Sequence, residues 1–139
     1  MTSNPKNSGF VLMLIDDSQF DLKINTRIVE YSEIFNKIIP CSSAKKALIY
    51  LSENLDKPEK LPQLILLDIQ MPEMDGFEFM EHYAQFPTLF RANCRVAMLS
   101  SSEDSSDLEK INANPNILML LKKPLQPTIL QQIMADNIS

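Results

Sequence analysis

The chain is short of most features that would assign it to a class at once. It has one histidine, His82, and two cysteines, Cys41 and Cys94, that share no ligand spacing and have no histidine beside them. That excludes a His/Cys zinc site, and two free thiols are the expectation for a protein held in a reducing cytosol. No run of Lys or Arg is longer than a pair (Lys45-Lys46, Lys122-Lys123), and 18 acidic against 13 basic side chains leave a net charge of −5. An acidic domain without a basic stripe is a poor match to a phosphate backbone, so direct nucleic-acid binding is not expected. No apolar stretch approaches the ~20 residues of a membrane span. Residues 1–8 are polar and lack a signal-peptide core, so the expectation is a cytoplasmic protein away from membranes. Low-complexity linkers and internal repeats are missing too. The 139 residues therefore read as one domain, 1–139, with 1–8 as a flexible N-terminal segment.

What is present is an ordinary globular composition, 45% hydrophobic and 22% charged, which sets aside disorder, collagen and coiled coil. The apolar residues come in short runs that end abruptly in polar ones. Residues 10–15 (FVLMLI) stop at Asp16-Asp17, 64–67 (LILL) at Asp68, 96–99 (VAML) at Ser100, and 117–121 (ILMLL) at Lys122-Lys123-Pro124. Runs without polar alternation suit strands buried on both faces, as in a parallel sheet. A weaker strand covers 37–41, and its Pro40, which lacks a ladder donor, predicts an edge position. Between the strands lie helical periodicities: Phe20, Ile24, Ile28 and Tyr31; Ala44, Ala47, Leu48 and Leu51; Phe77, Met80, Tyr83 and Ala84, with a stop near Pro87. Leu108 and Ile111 mark a shorter helix behind a capping-rich start at 102–107, and Ile129, Leu130, Ile133 and Met134 follow Pro127. Residues 53–62 read as a polar loop. Five strands alternating with five helices give a (βα)5 doubly wound parallel sheet.

In that layout Asp16, Asp17, Asp68, Ser100 and Lys123 all stand at the carboxyl ends of strands, the edge where open α/β sheets bind ligands. Three carboxylates so close together repel unless compensated, and a hard divalent cation such as Mg²⁺ is the natural compensation. One carboxylate could then attack a phosphoryl group as nucleophile, with Lys123 and the Ser100 hydroxyl holding its oxygens. Taken singly, each residue has a plainer reading: Asp16-Asp17 as a helix cap, Asp68 as a turn residue, Lys123 as a loop lysine, Ser100 as a strand end. Those readings weaken together, because chance does not readily place all five at consecutive strand ends.

The stretch Asp68-Ile69-Gln70-Met71-Pro72-Glu73-Met74-Asp75-Gly76 resembles the D-x-x-M-P-x-M-D-G signature of response-regulator receiver domains. Asp16-Asp17, Ser100 and Lys123-Pro124 match the family's other marks, and the resemblance runs over about residues 9–138. It implies a flavodoxin-like sheet of strand order 2-1-3-4-5 and a single-domain regulator of the chemotaxis type. Asp68 would accept a phosphoryl group from a sensor histidine kinase or phosphotransfer protein. Asp17 and Asp68 would ligate Mg²⁺ directly, Asp16 largely through water, and Gln70 through its backbone carbonyl. Ser100 would be the switch hydroxyl, Lys123 the phosphoryl partner, and the Lys123-Pro124 bond would be cis. Asp75-Gly76 reads as a structural turn, Gly76 being tolerant of positive φ. Leu120 stands where the family's switch usually has an aromatic, so the signal is expected to leave by another surface movement. The side chains of Gln70 and Ser102 flank the site, where they would affect phosphoryl lifetime.

With nothing after the last helix, the expected output is phosphorylation-dependent binding to a downstream protein, as a monomer or a phosphorylation-dependent dimer. The only catalysis expected is of the protein's own phosphorylation and dephosphorylation. Two other readings compete. A pseudo-receiver would bind partners without using the site. A Mg²⁺-dependent aspartyl phosphatase would need a general acid two residues after the nucleophile, where this chain has Gln70, and a substrate cap it lacks. His82, within the third helix, is expected to lie outside the site.

Overall fold

The computed structural model describes residues 9–101 and 105–137; the segment 1–8, Ser102 and part of the capping-rich start fall outside them. Five parallel strands, β1 (Val11–Ile15), β2 (Lys37–Cys41), β3 (Leu64–Asp68), β4 (Arg95–Ser100) and β5 (Met119–Lys122), form one sheet in the order β2-β1-β3-β4-β5. This is the expected flavodoxin-like order. Pro40 sits on edge strand β2 opposite Leu14, where its missing N–H costs no ladder bond.

Period-two geometry splits each strand between two cores. Val11, Met13, Ile15, Ile65, Leu67, Val96 and Met98 face one layer, with Ala47 and Leu51 of α2 (Ala44–Glu53), Phe79, Met80 and Tyr83 of α3 (Gly76–Tyr83), and Ile111 of α5 (Ser105–Ala113). Leu12, Leu14, Leu64, Leu66, Ala97 and Leu99 face the other, with Leu22 and Val29 of α1 (Gln19–Ser32) and Leu130, Ile133 and Met134 of α6 (Pro127–Asn137). The central strands are covered on both sides, which explains their unbroken apolar runs. Both thiols, Cys41 and Cys94, are buried and free. Burial pushes Cys41 up to about 11 and Cys94 up to about 12, so both stay protonated and inert at neutral pH.

Three expectations need correction. First, α1 is rotated away from the face its apolar periodicity suggests, and of that stripe only Ile28 packs against the core. Phe20, Ile24 and Tyr31 are exposed, whereas Leu22, Asn25, Val29 and Ser32 are buried. Small polar residues fit the tight contact with the sheet and α6. Ser32 meets its burial by donating to the Val29 carbonyl at 2.6 Å. Second, the helix after β3 ends at Tyr83, and Pro87 opens a separate short helix, α4 (Thr88–Ala92). Its Phe90 completes an aromatic cluster with Tyr83 and Phe86 at centroid separations of 5.8–6.2 Å. The described residues thus carry six α-helices, not five. Third, Phe79 rather than Phe77 or Ala84 lies in the α3 core; Phe77 is half-buried under the Lys110 ammonium, 5.1 Å from its ring centre. The 53–62 loop contains one 3₁₀ turn, Pro58–Lys60.

Candidate functional site

All five strand-end residues lie at the carboxyl edge of the sheet, and four of them, Asp16, Asp17, Asp68 and Lys123, meet in one crevice. The chain leaves β1 for β2 on one side and returns to β3 on the other, so the strands on either side of this reversal open a cleft at their carboxyl ends. Asp16 and Asp17 follow β1, Asp68 closes β3, Ser100 closes β4, and Lys123 follows β5. Backbone bonds hold each loop. The Asp16 N–H donates to the Cys41 carbonyl (3.1 Å), the Ile69 N–H to Leu99 (3.1 Å), and the Lys123 N–H to Ser100 (2.9 Å). Asp16 also accepts the Ser18 N–H on Oδ1 at 2.9 Å, while Ser18 caps α1 through Oγ. The cap is therefore Ser18, which leaves Asp16 and Asp17 to the cleft.

Oxygens of Asp16, Asp17 and Asp68 lie within 4.8 Å of one another. Asp16 and Asp68 are buried and Asp17 is exposed, so the group opens to solvent on the Asp17 side. The ammonium of Lys123 sits 3.0 Å from Asp16 Oδ2, 3.1 Å from Asp21 Oδ2 and 3.4 Å from Asp68 Oδ1. Burial pushes the Asp68 carboxyl up to about 6, and the charges of Asp16 and Asp17 push the same way; Lys123 pulls it back only in part. Burial works to lower Lys123, but its hydrogen bonds to Asp16 and Asp21 and the Asp68 charge hold it above its usual range. Among the described residues, one cation within ion-pair distance of three carboxylates, with Asp17 beside them, leaves the cleft short of positive charge. An all-oxygen donor set of this size suits a hard divalent cation.

Asp21 is not among the residues that the sequence singles out. Its signal is faint: an acid in the first turn of an amphipathic helix, four positions after Asp17. Its link to Lys123 spans 102 residues of sequence and exists only in the folded chain.

The loop from Asp68 into α3 departs from expectation in one detail. Gly76 does not occupy positive φ; the left-handed residue is Glu73, at φ 68°. Glycine is required at 76 for close approach instead. A Cβ there would stand 2.9 Å from the Asp68 backbone oxygen and 3.1 Å from Ile69 Cα. Asp75 caps α3, accepting the Glu78 N–H at 2.9 Å, while the Glu78 carboxylate accepts the Asp75 N–H at 3.1 Å, a complete capping box. Gly76→Ala is expected to destabilise the fold by about 1–3 kcal/mol, because backbone rather than a flexible side chain must yield. A urea-denaturation midpoint equal to wild type would refute this account of Gly76.

Ser100 is buried at the strand end, and Leu120, half-buried, packs against the core layer under α2, α3 and α5. Gln70 is exposed and lines an open groove with Met71, Pro72, Phe77 and Lys110. His82 is exposed in the last turn of α3. The Lys123-Pro124 bond is cis. No helix among the described residues is long and apolar enough to cross a membrane.

The fold is a parallel, doubly wound α/β sheet with an acidic cluster and Lys123 at its carboxyl edge. Residues 12–135 match the family described as response regulator receiver domain, and the chain belongs to that family. It is 29% identical over 103 residues to the response regulator Rcp1 of Synechocystis, covering 73% of this chain and 70% of that one. Among solved structures it resembles a response regulator receiver protein from Dyadobacter fermentans, with TM-score 0.81 and 36% identity over 90% of this chain and 94% of that one. It also resembles a chain of the CheX–CheY–BeF3–Mg²⁺ complex from Borrelia burgdorferi, with TM-score 0.73 and 27% identity, covering 94% and 90%. The chain is thus a receiver module of two-component signalling.

Proposed function

We propose that Asp68 accepts a phosphoryl group from a histidine kinase or phosphotransfer protein, and that the phosphorylated chain signals in the cytoplasm by binding another protein. The observation that carries this reading is the convergence of Asp16, Asp17 and Asp68 within 4.8 Å with Lys123 3.4 Å from Asp68. In the transfer, an Asp68 carboxylate oxygen forms a bond to phosphorus while the donor's P–N or P–O bond breaks and the donor keeps that electron pair. The product is an acyl phosphate. Near pH 7.5 most of Asp68 is ionised, since its burial-raised value is about 6, so the nucleophile is available.

Asp17, Asp68 and the Gln70 backbone carbonyl are the proposed direct holders of Mg²⁺, with Asp16 acting through water. When bound, the cation supplies charge neutralisation for the phosphoryl oxygens. Lys123 pairs with those oxygens from the β5 side, and the Ser100 hydroxyl contacts them from the end of β4. The added phosphoryl carries about −1.5 to −2 charges, enough to redirect both. Asp16, Asp17, Asp68, Ser100 and Lys123 act only on the protein's own phosphoryl group. The similarity to a structure solved as a complex of CheX and CheY with BeF3 and Mg²⁺ supports the assignment.

Intact mass after incubation with acetyl phosphate and Mg²⁺ tests it. Wild type is expected to gain one phosphate-sized mass that EDTA abolishes, and Asp68→Asn to gain none. A folded, Mg²⁺-binding wild type that neither gains mass nor binds beryllofluoride would instead be an interaction module that leaves the site unused.

A further inference from the structure

We propose that Asp21 is a positioning residue that competes with the phosphoryl group for the Lys123 ammonium, and so slows phosphorylation of Asp68. The proposal rests on the receiver reading above. An ammonium has three N–H donors. Two of them are engaged, with Asp16 Oδ2 at 3.0 Å and Asp21 Oδ2 at 3.1 Å, and the Asp68 oxygen lies farther away at 3.4 Å. The third N–H, on the Asp68 side, is left to meet an incoming phosphoryl oxygen, and Lys123 can move onto that oxygen only as far as its bonds to Asp16 and Asp21 allow.

Its two competing partners are not equivalent. Asp16 belongs to the group of three carboxylates that converge within 4.8 Å, so a cation held there weakens its grip on Lys123. Asp21 lies outside that group and keeps its full claim. Its backbone is anchored by the bond from its N–H to the Ser18 Oγ cap at 3.2 Å in the first turn of α1. Its side chain is 38% exposed against 1% for Asp16 and 10% for Asp68, which puts it at the mouth of the cleft. An anionic phosphoryl donor meets that charge on approach. Both effects have one sign: Asp21 retards transfer.

The plainer reading is that Asp21 is a first-turn acid favoured by the helix dipole. Such a role would move the unfolding midpoint and leave the phosphorylation rate alone. The test compares the rate of mass gain from acetyl phosphate with Mg²⁺ in wild type, Asp21→Asn and Asp21→Glu. Asp21→Asn is expected to react about fivefold faster, the upper range for a partly exposed ion pair. Asp21→Glu, which keeps the charge within reach of Lys123, is expected to stay within about twofold of wild type. An Asp21→Asn rate equal to or below wild type overturns the proposal, and so does Asp21→Glu matching Asp21→Asn. Wild type that gains no mass, like Asp68→Asn, sinks the receiver reading itself and the role of Asp21 with it.

Discussion

Lys123→Met is expected to destabilise the metal-free protein by about 3 kcal/mol at pH 7.5, lowering its unfolding temperature by on the order of 10 °C. The lysine is the only cation within ion-pair distance of Asp16, Asp21 and Asp68 among the described residues. Methionine preserves most of the side-chain volume, so the loss is electrostatic rather than a cavity. Asp16 suffers most: its side chain is 1% exposed, and without Lys123 it stays buried with a hydrogen bond from Ser18 N–H but no opposite charge. Removing one partner of a buried pair typically costs about 3–5 kcal/mol. The lower end applies here, because Asp68 can take up a proton and relieve part of the repulsion. Two further outcomes separate this cause from simple loss of packing. The deficit should shrink as pH falls toward 5, where Asp68, raised to about 6 by its burial, takes up a proton and relieves part of the repulsion. It should also shrink in millimolar Mg²⁺, because the cation binds more tightly where no lysine competes for the same carboxylates, and tighter binding stabilises the variant more than wild type. Thermal melts with EDTA and with Mg²⁺ at two pH values measure both. A deficit unchanged by pH and by Mg²⁺ would show that Lys123 stabilises through its methylene stem alone.

The same cleft shows what a linear reading of the chain captures. Asp16, Asp17, Asp68, Ser100 and Lys123 are legible because each follows an apolar run, and a run that ends in a polar residue marks a strand end wherever the sheet is buried on both sides. Pro40 is legible for a similar reason, since a missing donor restricts the strand to an edge. Asp21 is not, because its partner is 102 residues away and a first-turn acid has an adequate local explanation. The buried face of α1 is hidden on a related ground. Periodicity locates a stripe of Phe20, Ile24, Ile28 and Tyr31, but helix rotation is set by the Ser18 cap and by tight packing that prefers Asn25 and Ser32 inside. Gly76 reads as structural from sequence, but for the wrong reason. The D-G pair suggests a left-handed turn, whereas the Asp68 carbonyl 2.9 Å from its would-be Cβ excludes any side chain. Each miss is a three-dimensional contact, across 102 residues for Asp21 and Lys123 and within the folded-back loop for Gly76 and Asp68, which neither periodicity nor residue type reports.

Asp68→Asn is expected to make the metal-free protein more stable at pH 7.5, by about 2–3 kcal/mol, while removing its response to Mg²⁺. The Asp68 carboxyl is pushed from 3.8 up to about 6 by its burial first, then by Asp16, with Lys123 opposing and Asp17 adding to the rise. A raised carboxyl binds its proton more tightly in the folded state than in the unfolded one. Between pH 4 and 6 the folded chain therefore holds more protons, and stability falls as pH rises. The favourable contribution is fully present below pH 4 and is lost by about pH 7. A tenfold difference in proton affinity between the two states is worth about 1.4 kcal/mol, and with the side chain only 10% exposed, little of it is screened away. Asparagine keeps the shape, never ionises, and leaves Lys123 paired to Asp16 and Asp21. In urea denaturation from pH 4 to 8 with EDTA, the wild-type and variant curves should lie close together at the acid end, part between pH 4 and 7, and then run parallel. Curves that stay parallel over the whole range would show that Asp68 carries no ionisation strain. In Mg²⁺ the order should reverse or close, because only wild type has the third carboxylate. An aspartate that weakens the metal-free cleft is what the proposed role of Asp68 as phosphoryl acceptor calls for, since its free energy is then recovered on binding the cation.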